Sequence, residues 1–107
     1  MIKTFVIGEK KIEAELNAAL PYRFSGVFGK NYFSLIGKDI DPGDAAEFAQ
    51  EILYLMAMSA QKADMSRLSF DTYLEWLEDF MPGDLLEAAG EVVSWVVSPT
   101  RESNPKE

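Results

Sequence analysis

The 107-residue chain contains neither cysteine nor histidine. Without thiols there is no disulfide scaffold, no thiol nucleophile and no cluster held by cysteines. Without imidazoles there is no Cys/His zinc site, no haem ligation of the usual kinds and no His-dependent catalytic triad. Cations are scarce as well: Lys plus Arg is 10 against 18 Asp plus Glu, a net charge of −8. That balance opposes attraction to a phosphate backbone, so nucleic acid is not an expected partner. Long apolar runs are also missing. The longest apolar-rich stretch, Ile52 to Met58, falls far short of the ~20 residues that span a bilayer. The start, Met1-Ile-Lys-Thr-Phe-Val-Ile-Gly, lacks the long continuous apolar region and small-residue cleavage site of a signal peptide. A soluble, cytoplasmic protein without membrane contact is the expectation.

What is present is globular in character. Hydrophobic residues make up 48% of the chain and charged residues 26%, well outside the composition that stays disordered. At this length one domain with one modest core is expected.

Residues 2 to 16 predict a β-hairpin. Ile2 to Ile7 is rich in β-formers, and Gly8-Glu9-Lys10-Lys11 supplies a turn. Ile12, Ala14 and Leu16 then alternate with Glu13, Glu15 and Asn17, the pattern of a strand with one wet face. Two readings stand for residues 18 to 36. In one, Ala18-Ala19-Leu20-Pro21 opens a short helix; in the other, Tyr22 to Phe28 is a strand turning at Gly29-Lys30-Asn31. Residues 32 to 36 read as a strand either way, and both readings bury Phe24, Phe28 and Phe33.

From Asp41 the period becomes helical. Asp41-Pro42-Gly43-Asp44 places a capping side chain, a proline where no N–H is needed and an acid in the positive first turn. Ala45, Phe48, Ala49, Ile52, Leu55, Met56, Ser59 and Ala60 follow three-and-four spacing, and Leu53, Ala57 and Met58 widen the stripe into a mostly covered helix. Ser69 caps a second helix with Phe70, Tyr73, Leu74, Leu77, Phe80 and Met81 on its apolar side. Pro82-Gly83 opens a third, running to Val97 with Leu85, Leu86, Ala89, Val92, Val93 and Val96 inside. The fold class is therefore α+β: an N-terminal hairpin or small antiparallel sheet packed on about three helices. Residues 1–97 form the domain, and residues 98–107 a flexible polar tail.

Residues 42–52 and 82–92 share six of eleven identities. A duplicated unit would produce this, but so would two helices using the same start chemistry. The second reading is favoured because the intervening segments do not match.

Carboxylates are the only abundant catalytic residue type. Glu47 with Glu51, Glu75 with Glu78 and Asp79, and Glu87 with Glu91 all fall on the polar sides of amphipathic helices, which reads as a solvated acidic face. Asp39-Ile-Asp41-Pro-Gly-Asp44 matches a calcium loop in acid density alone and lacks its terminal Glu. No phosphate-loop pattern occurs. No catalytic residue, cofactor or metal is assigned. Arg23, between Tyr22 and Phe24, and the rings Tyr54, Tyr73, Trp76 and Trp95, each at a stripe margin, are the candidate protein-interface residues, since partly exposed aromatics and Arg carry much interface energy.

In size and order the chain resembles the tail assembly chaperones of long-tailed phages and prophages. The resemblance is carried by Phe5-Val-Ile-Gly-Glu-Lys-Lys-Ile-Glu-Ala-Glu-Leu16 and by the aromatic helix from Phe70 to Phe80. It is one of layout over residues 1 to 97. It implies a non-enzymatic, self-associating protein that binds the tape measure protein and assists assembly of the tail tube in the host cytoplasm. Members are often made in two lengths by frameshifting, and the polar tail would suit the shorter form. Two other classes compete. A small acidic inhibitor or immunity-type protein would mask a basic partner through one continuous negative face. A carboxylate hydrolase would need two acids converging in a pocket.

Overall fold

The computed structural model describes residues 1–36 and 41–98. The expected polar tail beyond Ser98 and the Asp39 end of the acid-rich loop lie outside the described residues. Those described form two strands and five α-helices, with one 3-10 turn at Met65–Arg67.

Strands β1 (Ile2–Ile7) and β2 (Lys10–Glu15) pair antiparallel, with Phe5 opposite Ile12 and Ile7 opposite Lys10. Phe5, Ile7 and Ala14 are buried, whereas Ile2, Val6 and Glu13 face out, as the period of two requires. Gly8 holds the tight turn at φ +63°, and a Cβ there would sit 2.5 Å from Asp84 Oδ2. Two demands thus meet at one residue: a left-handed backbone and a close approach to the last helix. Gly8→Ala is expected to cost about 1–2 kcal/mol, from the backbone conformation plus displacement of Asp84. Urea denaturation checks this, and an unchanged midpoint would mean that the turn relaxes freely.

Helix α1 (Leu20–Phe28) carries Pro21 in its first turn and ends at Gly29, which sits at φ +69°. It settles the open segment in favour of the helical reading. Residues 32 to 36 are not the expected strand. Helix α2 (Tyr32–Leu35) is a single turn, begun by Asn31, whose Oδ1 accepts from the Phe33 N–H at 2.9 Å. Tyr32 is buried, Leu35 and Ile36 are half-buried, and Phe33 and Ser34 are exposed. Burial thus recurs at three and four residues, which a turn of helix satisfies and a strand does not. Phe33, expected in the core, is 62% exposed.

Helix α3 (Pro42–Ala60) is the axis of the fold. Asp41 Oδ1 accepts from the Asp44 N–H at 3.1 Å, the cap expected from sequence. Its middle, Glu51 to Ala57, is buried on all sides, because β2, α1, α4 and α5 all pack against it. Helix α4 (Phe70–Leu77) starts in a capping box in which Ser69 and Thr72 exchange side-chain to backbone bonds. Helix α5 (Pro82–Val97) packs on α3 and β1. The two similar helix starts are not equivalent. Asp41 caps α3, whereas Met81 at the matching position offers no side-chain cap. The α+β class holds, with α1 and α2 added to the three helices expected.

Candidate protein-docking site

The expected interface rings divide sharply. Tyr54, Tyr73 and Trp95 are 4% exposed or less, so their expected partial exposure is corrected: they complete the core. Tyr54 shares a 2.7 Å hydrogen bond with Thr72 Oγ1, and its ring meets Tyr73 and Trp76. Trp95 stands edge-on to Phe5 at 5.7 Å. Stripe-margin positions stay wet only where no neighbour covers them, and α3, α4 and the hairpin cover these three. Trp76 is half-buried and borders a depression of about 440 Å³ that also involves Met58, Leu68 and Arg67. Arg23 is half-buried over a narrow notch beside Glu15 and Ser59. These two residues therefore line different depressions.

The acids also depart from expectation at one point. Glu51 is 1% exposed. Its carboxylate accepts two hydrogen bonds from Lys30 Nζ, at 3.0 and 3.2 Å, and Glu47 Oε1 lies 3.4 Å from the same ammonium. Burial pushes the Glu51 carboxyl above its ordinary range, against the opposing pull of Lys30. Burial works to lower the Lys30 pKa, but Glu51 and Glu47 together outweigh it and leave the ammonium raised. The two directions fit the geometry: the carboxylate is deeply enclosed, while the lysine side chain keeps 38% exposure and part of its hydration. Glu51 is the only buried charged residue among those described. Its neighbour Glu47 is exposed, so the two do not make an enclosed acid pair of the hydrolase kind. Among the described residues no group of three or more acids is placed to hold a metal ion, and no helix is long and apolar enough to cross a membrane.

The surface that sequence reasoning missed lies between α3 and α5. Pro42, Ala45 and Ala46 form one wall, and Leu86, Ala89, Gly90 and Val93 the other, of an almost wholly apolar open groove of about 400 Å³. Leu86, expected inside, is 62% exposed, and Val97, further along the helix, is 54% exposed. Small residues on both helices leave the groove unfilled. Gly90 is the telling one. It stands inside a helix, at a cost of about 1 kcal/mol relative to Ala. A Cβ added there would meet nothing within 4 Å. Among the described residues no neighbour requires the glycine. The sequence signal was the run Leu85 to Val93, whose apolar residues outnumber those one buried face can hold.

Comparison with known proteins returns no matching family model, no matching curated protein and no matching solved structure.

Proposed function

We propose that the protein is a non-enzymatic binding module of the tail assembly chaperone kind. It holds an apolar stretch of a tape measure or other tail protein and assists assembly of the tail tube in the host cytoplasm. The groove between α3 and α5 carries this reading: an apolar channel lined by exposed Leu86 and the open Gly90 position suits a protein segment. The layout over residues 1 to 97 supports it. The alternative, an acidic inhibitor masking a basic partner, draws on the twelve acids and two bases of residues 41 to 98.

Co-expression with the proteins encoded beside it tests the reading. Recovery of a long helical partner, lost when the groove is filled, is the expected result. Recovery of a lone basic enzyme, released by salt and indifferent to the groove, would replace it with the inhibitor reading.

A further inference from the structure

We draw no further inference here: the strongest candidate, the open apolar groove between α3 and α5, belongs to the site already described, and nothing in the structure shows what covers it.

Discussion

Phe24→Ala is expected to destabilise the protein by about 3–5 kcal/mol, the usual range for deleting a fully buried ring. The side chain is wholly enclosed. Its ring meets Phe48 edge-on at 5.3 Å, Tyr32 at 6.1 Å and Phe28 at 5.6 Å. One residue therefore joins α1, α2 and the central α3. Removing it leaves a void that three rings from three helices cannot close together, because each is fixed by its own backbone. Against a total of about 5–15 kcal/mol for a domain of ordinary stability, this is a large fraction. Phe33→Ala supplies the contrast. Phe33 is two residues from the end of α2, and among the described residues its ring pairs with Tyr22, itself 72% exposed, and Tyr32. Its loss should change stability by no more than about 0.5 kcal/mol. Urea denaturation of both variants decides the matter. Equal losses would show that Phe33 is a core residue, as an extended 32–36 segment would have it.

That contrast marks where the sequence was legible. Alternation in Ile12 to Leu16 revealed the hairpin because a two-stranded ribbon packed on one side obeys a period of two. Asp41, Pro42 and Asp44 gave away the start of α3, and Ser69 that of α4, because capping is local chemistry. Residues 32 to 36 misled because Tyr-Phe-Ser-Leu-Ile is good strand composition. The decision for helix came from Asn31 at the cap and from Phe24 and Phe48 receiving Tyr32, and only the capping residue is local. The rings at Tyr54, Tyr73 and Trp95 failed as interface candidates for a related reason. The sequence shows the edge of a helical stripe but not the element that comes to rest over it. The docking groove was partly visible. Leu86 and Gly90 sit in the third helix as expected, but that their side stays open depends on the small residues Ala45 and Ala46 of a helix forty residues earlier. Glu51 was the least legible. One turn from Glu47 on an amphipathic helix, it reads as solvent-facing, and nothing nearby in sequence announces that Lys30 arrives from 21 residues upstream to neutralise it.

Lys30→Met is expected to cost about 2–3 kcal/mol at pH 7. Breaking an enclosed ion pair from one side typically costs about 3–5 kcal/mol, because the remaining charge is stranded. The lower figure applies here because the lysine side chain is 38% exposed, so water already shares the work of holding it. The pH dependence identifies the stranded group. Burial already raises the Glu51 carboxyl in the folded chain. Between its unfolded and folded pKa values the native state therefore holds the extra proton, and stability falls as pH rises through that window. Removing Lys30 takes away the pull that opposes burial, so the folded pKa moves higher and the window widens upward. The deficit of Lys30→Met should then shrink as pH falls toward the raised carboxyl range, where a neutral Glu51 needs no cation. Lys30 shifts in the same direction but in a separate, alkaline window. Its raised ammonium contributes fully below the ordinary lysine value of 10.5 and is lost only as pH rises through the folded value above it. In the wild type this part of the stability fades on the alkaline side alone. Lys30→Met combined with Glu51→Gln should recover most of the loss and flatten the acid-side dependence, since no buried charge remains. Denaturation midpoints of the three proteins between pH 5 and pH 8 separate the possibilities. A deficit that is the same at both ends, or that the double variant does not relieve, would mean that Lys30 supports α1 through the packing of its methylenes rather than by neutralising the carboxylate at the heart of α3.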